Sequence, residues 1–289
     1  MDNTIKLPDG RTLGYECLGD PKGRPLFFFH GTPGSRKVVT AEEEIARMDG
    51  VRLILPERPG YGLSTPRPDR TLLNWAEDVA ALADHLGYET FAVSGISGGG
   101  PHALACAHEM PNRVELALLL ASPSPANFPG ALKGMQIGNK IGAILGGFAP
   151  GLARWLAGQN AAAFAKNPDF LIDATIKALC QPDQEIMASP GAREILQGDM
   201  EEAFRQGAAG VHGDAPLVLT RRGWDFELNA IRVPVHSWYG EEDTLVTLAM
   251  AKRLAKEIPG CQARFVPNAG HLLTDVPEVM AEIRQVLTS

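Results

Sequence analysis

Gly95-Ile96-Ser97-Gly98-Gly99 sets one serine between glycines two positions away on either side. A short apolar run, Phe91 to Val93, leads into it, and a small-residue helical pattern follows from Pro101. A serine hydroxyl can attack a carbonyl only where the backbone turns so sharply that its side chain stands clear of the strand before it and the helix after it. Such a turn strains the serine backbone and leaves no room for side chains at positions 95 and 99. Gly98 then offers a backbone N–H at the start of a helix, aimed where negative charge would develop during acyl transfer.

A serine hydroxyl is a weak nucleophile without a base, and the base needs an orienting carboxylate. With a serine elbow, the acid and then the histidine are expected at the ends of later strands. Asp243 follows the strand pattern 233–239, and His271 follows the pattern 263–266 in a Gly-His turn. The predicted triad is therefore Ser97, Asp243 and His271. Glu241, Glu242 and Asp225 compete for the acid role, and Asp243 is also positioned to cap the helix pattern that begins three residues later. In His30-Gly31-Thr32-Pro33-Gly34, Pro33 has no N–H, which leaves Thr32 N–H as the second oxyanion donor beside Gly98 N–H.

Other chemistry-bearing residues have plainer roles. Ser35 is expected to cap a helix. Arg58, in PERPGYG, either binds a substrate carboxylate or, the more ordinary role, pairs with a neighbouring acid and holds its loop. His102 and His108 are six residues apart, about 240° round a helix, and share no metal-binding face. His85, His212 and His236 read as surface or structural.

The elements that must position these groups follow in order. Residues 4–7 and 12–18 flank the turn Pro8-Asp9-Gly10 and read as a hairpin. Continuous apolar runs at 26–29, 52–55, 91–93 and 116–120 read as strands covered on both faces, with helical patterns at 38–48, 72–86 and from Pro101 between them. Alternation of this kind predicts a parallel sheet with helices on both faces and the ligand at the carboxyl ends of the strands. The glycine-rich loops at 30–35, 57–62 and 95–100 should converge there. From 123 to 228 the pattern is helical with no convincing strand, and the α/β rhythm resumes at Val233, with a helix at 246–257 and a terminal helix after His271. The expected organisation is a core, 1–122 and 229–289, interrupted by a helical cap, 123–228. Glycines at 130, 134, 138, 142 and 146 suggest a smooth helix stripe packed tightly on another cap helix, or else a mobile lid, or last a dimer or membrane contact, because each interior glycine costs about 1 kcal/mol relative to alanine; Lys133, Gln136, Asn139 and Lys140 argue against membrane insertion.

The chain has 289 residues, 45% hydrophobic and 21% charged, with net charge −7. No basic surface for nucleic acid is advertised. Four scattered cysteines (Cys17, Cys106, Cys180, Cys261) show no CxxC or CxxH spacing, which favours a reducing compartment with no disulfide frame or structural zinc. The start, MDNTIKLPDG, lacks a basic and apolar leader, and no apolar window reaches the length of a membrane span. The expected location is the cytoplasm.

HGTPGS after the first parallel strand, PERPGYGLS after the next, GISGGG at the elbow, VHSWYGEEDTLV and NAGHLL together resemble the α/β-hydrolase superfamily over essentially the whole chain. The resemblance implies an α/β fold with an eight-stranded, mostly parallel sheet, helices on both faces and a helical cap inserted after the sixth strand. It implies a serine triad working without cofactor or metal. By position Ser97 is the nucleophile, Asp243 the acid and His271 the base, with Thr32 and Gly98 as oxyanion amides. One departure is the glycine directly after the nucleophile, often a larger residue in these enzymes. With Gly100 close behind, it suggests a loosened helix start and extra room beside the serine. An aspartate nucleophile, as in dehalogenases and epoxide hydrolases, is disfavoured because the elbow holds serine. The expected activity is hydrolysis of a small or medium apolar ester, the partner being a small-molecule substrate. The alternatives are cleavage of amide, lactone or C–C bonds on the same triad, or a non-catalytic ligand-binding protein of the same fold.

Overall fold

The computed structural model describes residues 3–37 and 50–288. The helical pattern at 38–48 lies outside the described residues.

β1 (Asn3–Lys6) and β2 (Thr12–Gly19) form the expected hairpin, with Lys6 opposite Thr12. The apolar runs become β3 (Arg24–Phe29), β4 (Val51–Pro56), β5 (Phe91–Ile96), β6 (Val114–Leu120), β7 (Val235–Gly240) and β8 (Gln262–Val266). The eight strands lie in the order β1-β2-β4-β3-β5-β6-β7-β8. Only β2 departs from parallel pairing, running against both β1 and β4. Between strands run α1 (Leu72–Leu86) and α2 (Gly100–Glu109). After β6 come α3 (Ile137–Phe148), α4 (Pro150–Lys166), α5 (Pro168–Ala178), α6 (Gln181–Met187), α7 (Ala192–Ala203) and α8 (Ala209–Val218). The core resumes with β7, α9 (Leu248–Glu257), β8 and α10 (Pro277–Thr288).

The sheet is covered on both faces because its strands alternate two sets of large apolar side chains. Phe27 and Phe29 of β3 pack with Trp75 and Val79 of α1 and Leu104 of α2. Leu26 and Phe28, pointing the other way, pack with Leu53, Leu118 and the α10 residues Val279 and Ile283. Each such side chain contributes roughly 1.5–3 kcal/mol by leaving water. α1 has a defined start and stop. Thr71 Oγ1 accepts from Asn74 N–H, Asn74 Oδ1 accepts from Thr71 N–H, and Gly87 ends the helix at φ 80°.

The glycines of the insertion do not form one packed stripe. α3 begins only at Ile137, and Gly130 and Gly134 form left-handed turns ahead of it, with φ 84° and 85°. A methyl group at Gly142 or Gly146 would meet nothing within 4 Å, so this side of α3 carries no tight helix contact. Among the described residues, no helix is long and apolar enough to cross a membrane.

Candidate active site

Ser97 stands at the carboxyl end of β5, the central strand between β3 and β6, with φ 52°. That left-handed backbone is rare for a residue with a side chain and marks a strained turn held by its surroundings. The glycines on either side make it possible. A methyl at Gly95 would lie 2.4 Å from Gly99 carbonyl atoms, and one at Gly99 would lie 2.0 Å from the Phe29 carbonyl oxygen. The elbow is thus pressed between the helix it starts and the end of β3.

Asp243 follows β7 and His271 follows β8. Asp243 Oδ2 lies 2.7 Å from His271 Nδ1, and both side chains are buried. The carboxylate is doubly employed, because its Oδ1 also accepts from Leu245 N–H (2.7 Å) and Val246 N–H (3.0 Å). The cap of α9 itself is Thr247. The competing acids stand elsewhere: Glu241 and Glu242 are exposed, and the exposed Asp225 accepts from Leu73 N–H at the start of α1. Burial alone would lower the His271 pKa. The Asp243 charge and hydrogen bond, helped by the Asp183 charge, outweigh it, so this imidazole titrates above its ordinary value. The 269–271 loop folds over the end of β7, close enough that a methyl at Gly240 would meet the Gly270 carbonyl oxygen at 2.1 Å. Ser97 Oγ and His271 Nε2 are not hydrogen-bonded to one another. Catalytic hydrogen bonds are commonly long before substrate arrives and tighten in the Michaelis complex.

The space beside Ser97 is filled. A methyl at Gly98 would stand 2.3 Å from Thr32 Oγ1 and 2.8 Å from Thr32 Cβ, and one at Gly100 would stand 2.1 Å from Ser122 Oγ. The glycine after Ser97 therefore admits the Thr32 loop instead of leaving room, which corrects the expectation from sequence. Gly31 also approaches the elbow, its missing methyl position lying 3.7 Å from Ser97 Cβ. His102, buried behind the turn, donates from Nδ1 to the Gly98 carbonyl oxygen (2.9 Å). Burial, reinforced by the Arg58 charge, pulls its pKa down to about 3, so it is a neutral donor and not a second base.

Residues 24–276 match the alpha/beta hydrolase fold family. The chain belongs to that family. It is 28% identical over 271 residues to an uncharacterized hydrolase, YcgS, of Bacillus subtilis, covering 92% of this chain and 90% of the relative. It is 26% identical over 273 residues to a non-heme haloperoxidase of Rhodococcus erythropolis, with 92% of each covered. A thermophilic esterase from Thermogutta terrifontis superposes with a TM-score of 0.72 at 25% identity, over 100% of this chain and 98% of the esterase. The chain is a hydrolase.

The helical insertion of this hydrolase is fastened to the carboxyl edge of the sheet by buried acids that the sequence did not single out. Asp214 of α8, wholly buried, accepts from Arg58 Nε (2.9 Å), Arg58 Nη2 (2.7 Å), Thr32 Oγ1 (3.0 Å) and Arg70 Nη2 (2.5 Å). Burial alone would raise its pKa, but the Arg58 and Arg70 guanidiniums hold it well below the carboxylate range. Arg58 also donates to the carbonyl oxygens of His30 (2.5 Å) and Gly31 (2.8 Å). It is a structural pin, as the more ordinary of its two expected roles requires, but its acid comes from the insertion. His30 completes the pin. Burial first, then the Arg58 charge, push its pKa far down, and the neutral ring donates from Nδ1 to Gly31 O and accepts Arg58 N–H at Nε2.

Three more acids act alike. Asp183 of α6 accepts from His271 N–H (2.8 Å) and Leu272 N–H (2.9 Å). Asp199 of α7 accepts from both Ser35 N–H and Ser35 Oγ at 2.7 Å, and burial lifts its pKa to about 7 against those hydrogen bonds. Ser35 Oγ in turn accepts Lys37 N–H (3.1 Å); the segment it is expected to cap lies outside the described residues. Glu202 pairs with Arg36, which also pairs with Glu57. Among the remaining histidines, His85 is exposed, His236 is half-buried, His108 pairs with Glu109, and His212 joins α8 to the Arg154 carbonyl oxygen. Among the described residues no group of three His, Cys, Asp or Glu side chains could hold a metal ion. A cleft of about 560 Å³ opens inside the insertion, lined by Ala161, Phe164, Phe204 and Ala208 among others, and none of its lining belongs to the predicted triad.

Proposed function

We propose that this hydrolase cleaves small or medium apolar carboxylic esters through an acyl-enzyme on Ser97, using no cofactor. The reading rests above all on the buried His271 Nδ1–Asp243 Oδ2 pair of 2.7 Å at the same sheet edge as a serine with φ 52°. His271 Nε2 takes the Ser97 Oγ proton as Oγ bonds to the substrate carbonyl carbon, and Asp243 stabilises the imidazolium that forms. The carbonyl oxygen gains the negative charge and is held by Thr32 N–H and Gly98 N–H. As the tetrahedral intermediate collapses, His271 returns the proton to the leaving alcohol. It then deprotonates a water that attacks the acyl-Ser97 carbonyl, and a second collapse releases the acid and restores Ser97. In this reading residues 123–228 are the cap over a core of 1–122 and 229–289, and the cap sets acyl selectivity. The esterase likeness supports an ester over an amide, lactone or C–C bond.

The test is turnover of a series of aryl esters of increasing acyl length by wild type, Ser97→Ala and His271→Gln. Wild type should hydrolyse the shorter members, and Ser97→Ala should lose at least about a thousandfold in kcat with unchanged circular dichroism. Undiminished ester turnover in folded Ser97→Ala would end the proposal. Poor ester turnover beside good amide or lactone turnover would move the substrate class and keep the triad.

A further inference from the structure

The insertion carries a surface that the proposed chemistry does not use. On α3, Ile137, Ile141, Ile144 and Phe148 recur at steps of four, three and four residues and so share one side of the helix. That side faces out: Ile137 is 67% exposed and Phe148 74%. α4, which packs against α3, repeats the pattern with exposed Leu152, Trp155 and Leu156. Of the seven large apolar side chains exposed among the described residues, six stand on these two helices and the seventh, Phe170, on the next, so this concentration marks a docking surface.

Its charge selects the occupant. From residue 116 to residue 168 the chain contains Lys133, Lys140, Arg154 and Lys166 and not one Asp or Glu, within a protein of net charge −7. Lys133, Arg154 and Lys166 are exposed, and the exposed Arg221 sets its guanidinium 5.2 Å from the Phe148 ring centroid. The nearest acids along the chain, Asp169 and Asp173 of α5, are paired with Arg193. Apolar residues and a tryptophan bordered by Lys and Arg is the composition of helices that lie in the headgroup layer of a membrane. A second copy is a poorer fit, because a two-fold contact through this patch sets its cations against themselves. α3 has 12 residues and α4 has 17, too short to span a bilayer.

We infer that the α3–α4 face docks on an anionic lipid bilayer surface. The helices lie in the plane of the interface. Ile137, Ile141, Phe148, Leu152, Trp155 and Leu156 reach the acyl boundary, while Lys140, Arg154 and Arg221 meet lipid phosphates. This inference does not depend on the triad and would stand if the ester reading failed.

The test is co-flotation of the full chain with vesicles of phosphatidylcholine alone and of phosphatidylcholine mixed with phosphatidylglycerol. The wild type should float with the mixed vesicles, less so at high salt, and its tryptophan emission should shift to the blue. In Trp155→Phe the shift should vanish while binding remains. Ile141→Ser with Trp155→Ser should lower the partition coefficient at least about tenfold, and each of Lys140→Glu and Arg154→Glu about fivefold or more. All of these variants should keep wild-type melting temperatures and wild-type turnover of a soluble ester. A folded wild type that leaves mixed vesicles unbound, or binding unchanged in all the variants, overturns the inference. So does a dimer in sedimentation velocity that Ile141→Ser with Trp155→Ser dissociates while no vesicle binds, since the face would then belong to a second copy.

Discussion

At Gly98 the absence of a single methyl group sets the distance between the Ser97 turn and the loop after β3. A Cβ there would stand 2.8 Å from Thr32 Cβ and 3.3 Å from Thr32 N, so Gly98→Ala must push Thr32 outward. With one of the two proposed oxyanion amides displaced, kcat should fall by about a hundredfold while the fold and KM are nearly kept; single-substrate kinetics on an aryl ester check this. The base offers a second test. In the proposed mechanism His271 must be neutral to accept the Ser97 proton, and against burial the Asp243 charge and hydrogen bond raise its pKa. Activity should therefore be lost as pH falls through a midpoint above the ordinary histidine value of about 6.5. Asp243→Asn should lower kcat about ten-thousandfold and move that midpoint down, whereas Glu242→Gln, at an exposed position, should change neither. The reverse order in a pH–rate profile would give the acid role to Glu242. The places of Ser97, Asp243 and His271 at three strand ends were legible in the sequence because each sits in a local signal, a glycine-flanked turn or a strand end. What lies beside Gly98 was not, because Thr32 reaches it from a loop sixty-six residues earlier and no local pattern records that approach.

The loops at this sheet edge are held chiefly by elements that cross over from the insertion. Asp214 on α8 binds Arg58, Arg70 and Thr32 at once, all but sealed from water. Removing it leaves two buried guanidiniums without their anion, a loss that typically costs about 3–5 kcal/mol. Asp214→Ala should show that loss in urea unfolding and, if still folded, a lower kcat through a loosened Thr32 loop. Stability within about 0.5 kcal/mol of wild type would contradict the pin. Arg58, in the turn-forming stretch PERPGYG, could be read as a loop holder. Its partner could not, since a lone acid in a helical pattern ordinarily reads as a solvated face. The same holds for Asp183, Asp199 and Glu202, whose burial comes from packing between segments far apart in the chain. The glycines before α3 misled in the opposite direction: they repeat at four-residue steps like a packed stripe, yet Gly130 and Gly134 are turn residues.

For the whole molecule, the mostly parallel sheet and its two apolar layers follow from the alternation of strands and helices that the sequence displays openly, and Leu26-Phe27-Phe28-Phe29 feeds both faces of the sheet; the strand order itself has no such local signal. The insertion is the less legible half, because its helices are anchored by buried charge and left apolar outside, the inverse of the usual pattern. The central claim is that these parts assemble into an activated serine. The most direct measurement is intact-protein mass after incubation with a fluorophosphonate, on wild type and on Ser97→Ala. One adduct on wild type and none on Ser97→Ala is the predicted result. No adduct on folded wild type, or an equal adduct on Ser97→Ala, would contradict it.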